Sequence, residues 1–227
     1  ETPYAETILY KLHVRGFTVH ASSGVSARGT YAGVVEKIPY LKELGITAVE
    51  LMPVTEFDEI MMSSSGSGFH NAKQEPTGYV NYWGYGPSYL YAVKTAYASR
   101  ETMSAEGEFK TLVRELHKAG IECIPEMYFT GKELPGEILS VLRYWVEEYH
   151  VDGFHLTGFP DLSLAAEDPF LKRTKLFAEN WNDIMNRRPK QGYVTPGDGA
   201  VSVEEKNLAE YNMQFMEDMR RFLKGDE

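Results

Sequence analysis

The sequence is poor in cysteine, in positive charge and in long apolar runs, and each shortage excludes a class of protein. A single cysteine, Cys123, among 227 residues rules out an intrachain disulfide and is compatible with a reducing compartment such as the cytoplasm. A formal net charge of −10 argues against nucleic acid as a partner, because phosphate binding requires a basic surface. No stretch approaches the roughly 20 consecutive apolar residues of a membrane-spanning helix, so we predict no membrane partner.

Apolar and aromatic residues are plentiful. Hydrophobic residues make up 43% and aromatic residues 13% of the chain, which is enough to bury a sizeable core in one large domain or two small ones. Most of the rings are expected to pack in that core, although flat rings also stack on sugars. The chain begins with Glu1 and shows no signal peptide, so we expect it to have been cut from a longer protein or processed.

One pattern recurs along the chain: an amphipathic helix, a turn and an apolar strand. It occurs in YAGVVEKIPYLKELG before ITAVELMPV, in EFKTLVRELHKAG before IECIPEMYF, and in PGEILSVLRYWVEEYH before VDGFHL. A shorter unit, SLAAEDPFL before TKLFAE, and the opening segment TILYKLHV bring the count to five predicted strands, at about 7–14, 46–52, 121–128, 151–156 and 174–179. Alternating strands and helices predict a parallel sheet covered by helices.

Two long segments interrupt this pattern. Residues 55–100 are rich in Gly, Ser and Tyr and predict an extended loop after the second strand, and residues 182–206 predict a polar loop. The final segment, EYNMQFMEDMRRFLKG, predicts a helix with Phe215, Met219 and Phe222 facing inward.

Polar residues follow the predicted strands, where the sites of parallel α/β folds lie. They include Glu50, Glu126, His155, Thr157 and Glu179. Taken singly, such a residue is more often a solvated loop position or an ion-pair partner. Several acids close to an aromatic loop, however, indicate a polyhydroxyl ligand and acid–base chemistry. No dense cluster of oxygen ligands demands a metal, so we predict no metal and no cofactor.

Seven segments carry a family resemblance: LYKLHVRGFT, YLKELGITAVELMPVTEFDE, NYWGYGP, FKTLVRELHKAGIE, RYWVEEYHVDGF, KLFAENW and NLAEYNMQFMEDMRRFLKGDE. In this order they resemble the α-amylase superfamily of glycoside hydrolases, and within it the isoamylase, pullulanase and glycogen-debranching branch. The resemblance implies a (β/α)8 TIM barrel acting on α-glucans or maltooligosaccharides. We therefore predict one α/β domain over residues 1–227, a partial barrel with about the first five β/α units and a long loop after strand two, incomplete at its C-terminal end.

The resemblance also implies retaining hydrolysis by a nucleophilic aspartate on strand four and a glutamate on strand five that acts as general acid/base. Glu179 matches the acid/base position. In VDGFHLTG, however, Thr157 stands at the nucleophile position and His155 at that of an orienting arginine. Glu126 replaces an aspartate on strand three, and we expect the third carboxylate, which in the family follows strand seven, to be missing from a partial barrel of five units.

The same strand-three motif has further changes. Thr130 and Gly131 stand in place of an asparagine and a sugar-binding histidine. The loop motif NYWGYGP is better matched: it places Tyr85 where the family stacks a ring on the sugar being cleaved, with Trp83 beside it. Plain loop packing is the alternative interpretation of Tyr85.

Three functions are compatible with these residues. The first is an α-glucan hydrolase of the debranching type, the second a non-catalytic glucan-binding or structural pseudoenzyme, and the third a fragment without a role. Thr157 brings no charge and is a poor nucleophile unless a base such as His155 activates it, so we predict impaired catalysis. One open cleft containing Thr157 and Glu179 would favour glucan binding, whereas packing over both would count against it. The open edges of a partial barrel predict a homo-oligomer that covers them.

Overall fold

A computed structural model describes residues 2–65, 73–99, 104–158, 160, 164–178 and 208–225. Its centre is a parallel sheet of six strands, numbered here in chain order along the sequence. They lie in the order β1 (Leu9–Leu12), β2 (Ala48–Leu51), β7 (Glu122–Phe129), β8 (Gly153–Gly158), β9 (Lys175–Ala178) and β10 (Leu208–Glu210). This sheet confirms the predicted partial barrel, although it has a sixth strand where we expected five.

Helices are α1 (Val14–Thr18), α2 (Tyr31–Glu36), α3 (Ile38–Glu43), α4 (Ala105–Lys118), α5 (Pro135–Tyr149) and α6 (Met213–Lys224). The first predicted helix divides into α2 and α3 because Pro39 lacks the N–H that a continuous helix would require there. Between β8 and β9 the described residues form two 3-10 turns, Ala165–Glu167 and Phe170–Arg173, rather than an α-helix.

The apolar core lies on the face of the sheet that the helices cover. Side chains alternate along each strand, so every second residue enters this core: Val49 and Leu51, Cys123, Met127 and Phe129, and Phe154 and Leu156. On the helices, Phe109 packs edge to face against Trp145, with ring centroids 5.5 Å apart. The Trp145 Nε1–H donates to the Leu90 carbonyl at 2.7 Å, which ties α5 to the segment after strand two.

The described parts of residues 55–100, which are 55–65 and 73–99, are more ordered than the predicted extended loop. They contain two antiparallel pairs, β3 (Thr55–Phe57) with β6 (Ser88–Val93) and β4 (Ile60–Ser65) with β5 (Lys73–Val80). The prediction missed them because the segment lacks long apolar runs, and pairing joins residues that are distant in sequence, such as Thr55 and Val93. Residues 182–206, predicted as a polar loop, lie outside the described residues.

The C-terminal helix α6 is confirmed, but its predicted inward orientation is wrong. Phe215 is 62% exposed, Phe222 is 77% exposed and Met219 is 37% exposed. Helical periodicity predicts that an apolar face exists, but it does not determine what that face contacts. Among the described residues, no helix has both the length and the apolar character that crossing a membrane requires.

Candidate functional site

A stripe of polar side chains crosses the sheet on the face opposite the apolar core. Strand register pairs Lys11 with Glu50 and pairs Glu126 with His155. Glu126 lies two residues beyond Ile124, the β7 partner of Glu50, so its side chain points to the same face. Residues far apart in sequence therefore meet because four neighbouring parallel strands, β1, β2, β7 and β8, align them.

Lys11 bridges the two carboxylates of this stripe. Its Nζ lies 2.9 Å from Glu50 Oε1 and 2.8 Å from Glu126 Oε2. Both carboxylates are buried, whereas the lysine side chain is 37% exposed. Partial burial opposes the charge of Lys11, but the two carboxylates outweigh that penalty and raise its pKa. The ammonium therefore remains charged at neutral pH.

Glu50 has two further partners. Nδ1 of His155 lies 2.7 Å from Glu50 Oε1, and the Tyr211 hydroxyl donates to Oε2. Burial by itself would raise the pKa of Glu50, but the hydrogen bond and charge of His155, together with Lys11 and Tyr211, lower it to about 2. Glu50 is therefore an anion at neutral pH, which makes it unsuitable as a general acid there.

Thr157 and His155 do not form the nucleophile–base pair that their spacing allows. Thr157 Oγ1 and His155 Nε2 are both buried, and neither has a hydrogen-bond partner among the described residues. The imidazole instead directs Nδ1 toward Glu50. Among the described residues no base contacts the Thr157 hydroxyl, so none of them supplies the activation that nucleophilic attack requires.

Of Thr157 and Glu179, the two residues expected to share a cleft, the structure describes only Thr157. Thr157 is buried, with 6% of its surface exposed, and this burial argues against direct contact between a sugar and its hydroxyl. Glu179, the predicted acid/base, lies outside the described residues. Glucan binding would therefore depend on the more exposed groups near this stripe.

An aromatic loop joins the stripe at its exposed margin. The Tyr85 hydroxyl donates to Glu126 Oε2 at 3.2 Å, and the Tyr85 ring lies edge to face with Tyr128 at 5.7 Å. Tyr85 is 37% exposed and Trp83 is 52% exposed. Tyr85 and Glu126 are therefore in direct contact, and both rings of the loop are partly exposed to solvent.

Two polar side chains hold this loop. Asn81 Oδ1 accepts from the Gly84 N–H at 3.0 Å, and Asn81 Nδ2 donates to the Tyr85 carbonyl at 3.1 Å. His13 Nε2 lies 2.9 Å from the Tyr82 carbonyl, and its ring stacks on Tyr82 at 4.6 Å. Because a local anchor from Asn81 and a long-range anchor from His13 both make directional hydrogen bonds, the loop presents its rings in a defined arrangement.

The other residues of the strand-three motif serve a local turn. Thr130 Oγ1 donates to Glu133 Oε1 at 2.8 Å, and the Gly131 N–H donates to Glu133 Oε2 at 3.0 Å. These contacts lower the pKa of Glu133 against the opposing effect of its burial. Thr130 and Gly131 are therefore engaged in stabilising the chain after β7.

Three groups of the stripe have donor atoms suited to a metal. One ligand atom from each of Glu50, Glu126 and His155 lies within 4.8 Å of the others. Carboxylate and imidazole donors are typical ligands of divalent transition metals. The Lys11 ammonium, however, already contacts both carboxylates and supplies the positive charge.

The N-terminal half of the chain matches a known family model. The model of the Alpha-amylase family, described as "Alpha amylase, catalytic domain", matches residues 13–130, just over half of the chain. The chain belongs to this family. The matched segment contains Glu50, the aromatic loop and Glu126, whereas Lys11, His155 and Thr157 lie outside it.

Curated relatives of this α-amylase-family domain confirm the predicted branch. It is 31% identical over 297 aligned positions to Isoamylase 3, chloroplastic, from Oryza sativa subsp. japonica, covering 99% of this chain and 35% of that protein. It is 32% identical over 284 positions to the Glycogen operon protein GlgX homolog of Haemophilus influenzae, covering 97% of this chain and 39% of that protein. The domain thus spans little more than a third of these relatives.

Solved structures show the same fold. Pullulanase type I from Bacillus subtilis, complexed with maltose, aligns with a TM-score of 0.63 at 22% identity, covering 92% of this chain and 36% of that one. The similarity supports the assignment of the six strands to a partial barrel of the α-amylase type.

Sequence reasoning missed two members of the site of this α-amylase-family domain, Lys11 and Tyr211. Lys11 sits inside an apolar strand, LYKL, where a charged residue signals a face directed away from the core. Tyr211 follows the short strand β10, whose three residues show too little apolar pattern to predict a strand there. Their role depends on sheet register, which local sequence does not reveal.

Proposed function

We propose that this domain binds α-glucan through its aromatic loop and does not hydrolyse it. The observation that carries the proposal is the state of Thr157. At the position where the resemblance expects a charged nucleophile, the side chain is a buried hydroxyl without a hydrogen-bond partner among the described residues. A retaining mechanism needs a nucleophile and an acid/base on opposite sides of the glycosidic bond, and Thr157 does not supply the first.

The buried carboxylates do not replace that nucleophile. Glu50 is held by Lys11, His155 and Tyr211, and Glu126 is held by Lys11 and Tyr85. Electrostatic stabilisation of the transition state requires charge that is already directed at the developing positive centre of the sugar. Both carboxylates already direct their charge at Lys11, which supports the proposal of impaired catalysis.

The case for glucan binding rests on the rings. Trp83 and Tyr85 are partly exposed on a loop anchored by His13 and Asn81, so a ligand that contacts the rings has less loop ordering to pay for in entropy. The Bacillus subtilis pullulanase of the same fold was solved with maltose. A neutral sugar also suits a protein whose net charge of −10 would repel anionic ligands.

Binding without turnover can be measured on one substrate. We expect maltohexaose to bind in a calorimetric titration, while reducing-end assays with maltohexaose, pullulan and glycogen show no product. Tyr85→Ala should weaken maltohexaose binding roughly two- to tenfold, because an aromatic contact contributes about 0.5–1.5 kcal/mol beyond its buried area. Tyr85→Phe keeps the ring and is the matched control.

Two catalytic variants make the proposal falsifiable. Thr157→Asp and Glu179→Gln should be assayed beside the parent chain. Reducing ends released by the parent and lost in Glu179→Gln would overturn the claim that the domain does not hydrolyse glucan. Unchanged maltohexaose affinity in Tyr85→Ala would overturn the role of the aromatic loop.

A second proposal concerns self-association. Helix α6 exposes an apolar face formed by Met213, Phe215, Met219, Phe222 and Leu223. Exposed apolar side chains along one helix are typical of an interaction surface, and homodimers are the commonest assemblies. We expect light scattering after gel filtration to give twice the mass of the chain at high concentration, and Phe222→Glu to return the single-chain mass. A single-chain mass at every concentration would exclude a homodimer.

A further inference from the structure

Lys11 occupies the position in the polar stripe where a cation would bind. Its Nζ is 2.9 Å from Glu50 Oε1 and 2.8 Å from Glu126 Oε2, and these carboxylates and His155 form the group whose donor atoms lie within 4.8 Å of one another. The ammonium is tethered by its own chain to β1, so it competes with any free cation at a very high effective concentration.

We propose that Lys11 is a tethered cation that fills the position between Glu50 and Glu126, so that the polar stripe accepts neutral ligands and excludes metal ions and basic ligands. The inference deepens the proposed function, on which its statement about sugars rests, because it names the class of ligand that the domain accepts. Its statement about metals stands on the geometry of the stripe alone.

The charges around Lys11 support this assignment. Glu50 and Glu126 face the ammonium from β2 and β7, and His155 contacts Glu50 from β8. Tyr211 and Tyr85 donate hydrogen bonds to Glu50 and Glu126 respectively, at the margins of the group. Since Lys11 and Glu50 both keep their charges at neutral pH, the ammonium and one carboxylate cancel permanently.

The exposure of Lys11 makes the assignment testable. The side chain is 37% exposed, so a ligand approaching from solvent meets the ammonium before the carboxylates. A second cation would be repelled at close range in a site of low dielectric constant, whereas the hydroxyls of a sugar would not. Removing the ammonium should leave two carboxylates and an imidazole directed at one point.

The experiment compares metal binding by the parent and Lys11→Met chains. We expect the parent to bind Co²⁺ and Zn²⁺ weakly and without cobalt d–d bands that indicate an ordered site. Lys11→Met should gain such bands and bind Zn²⁺ at least about a hundredfold more tightly, because a unit charge a few ångströms away has been removed. Lys11→Arg keeps the charge and should behave as the parent.

Lys11→Met removes the ammonium that two buried acids share, and the variant can fail to fold without metal. In that case Zn²⁺ should raise its melting temperature, and the double variant Lys11→Met/Glu126→Gln, which has one carboxylate fewer, should fold without metal and bind Zn²⁺ less tightly than Lys11→Met. Equal Zn²⁺ affinity in the parent and Lys11→Met chains, or equal affinity in the single and double variants, would overturn the inference.

Sugar-binding measurements on the same variants distinguish this inference from the proposed function. We expect Lys11→Met to bind 1-deoxynojirimycin, a basic monosaccharide analogue, at least about tenfold more tightly than the parent, and to bind neutral maltose no more tightly. Gain of metal binding with no sugar binding in any variant would contradict the proposed function and leave the tethered cation established. Sugar binding without gain of metal or basic ligand would contradict the tethered cation.

Discussion

Glu50→Gln is expected to lower the free energy of unfolding by about 3–5 kcal/mol, the usual effect of removing one partner of a buried ion pair. The Glu50 side chain is fully buried and contacts Lys11, His155 and Tyr211. An uncharged amide would leave Lys11 with Glu126 alone and would present a donor to two existing donors. Urea denaturation followed by circular dichroism at pH 7 measures the loss.

Glu36→Gln is the matched control for this prediction. The Glu36 carboxylate also accepts three hydrogen bonds, from the Ser26 N–H, the Ser26 hydroxyl and the Ala27 N–H, but it lies at the surface. Its replacement should destabilise the protein less than that of Glu50, since water can satisfy the groups left behind. Equal losses in the two variants would contradict the argument from burial.

The Glu50 carboxylate should also make the stability of the protein depend on pH. A carboxyl group whose pKa is 4.5 in the unfolded chain and about 2 in the folded protein stabilises the fold by about 3 kcal/mol at neutral pH. Because the folded pKa is the lower one, this contribution is complete above the unfolded pKa and is lost as the pH falls through the folded pKa. The difference between the parent and Glu50→Gln should therefore shrink between pH 5 and pH 2, to within about 2 kcal/mol. A difference that stays constant over this range would contradict the assignment.

The strands and helices of the barrel were predictable because each repeats a strong local pattern. The segment EFKTLVRELHKAG predicts α4, and IECIPEMYF after it predicts β7. The sixth strand, β10, has three residues and is held by parallel pairing to β9, so its own composition carries little signal. The pairs β3–β6 and β4–β5 were missed for the same reason, since their order comes from their partners.

In the candidate site, too, some features were predictable from local sequence and others were not. The positions of Thr157, His155, Glu126 and Tyr85 followed from motifs, because a motif preserves the place of a residue on its strand. The contacts did not follow, because Lys11 and Glu50 meet through the register of β1 and β2. His155 could have turned toward Thr157 or toward Glu50, and only the position of the Glu50 carboxylate on β2, across β7 from His155, decides between them.

Gly84→Ala is expected to destabilise the protein by about 2–5 kcal/mol and to weaken maltohexaose binding at least about tenfold. Gly84 has a φ of +83°, and an added Cβ would lie 2.6 Å from Phe57 Cε1 and 3.0 Å from Pro53 Cβ. Gly78 has nearly the same φ, +79°, but a Cβ there meets nothing within 4 Å. Gly78→Ala should therefore cost only the backbone strain of about 1–2 kcal/mol and leave binding unchanged. The two variants share the backbone strain and differ only in the clash beneath the aromatic loop. A loss of maltohexaose binding confined to Gly84→Ala would therefore show that the glucan binds to the rings that Gly84 positions. Equal binding by both variants would show that the glucan binds at another part of the protein.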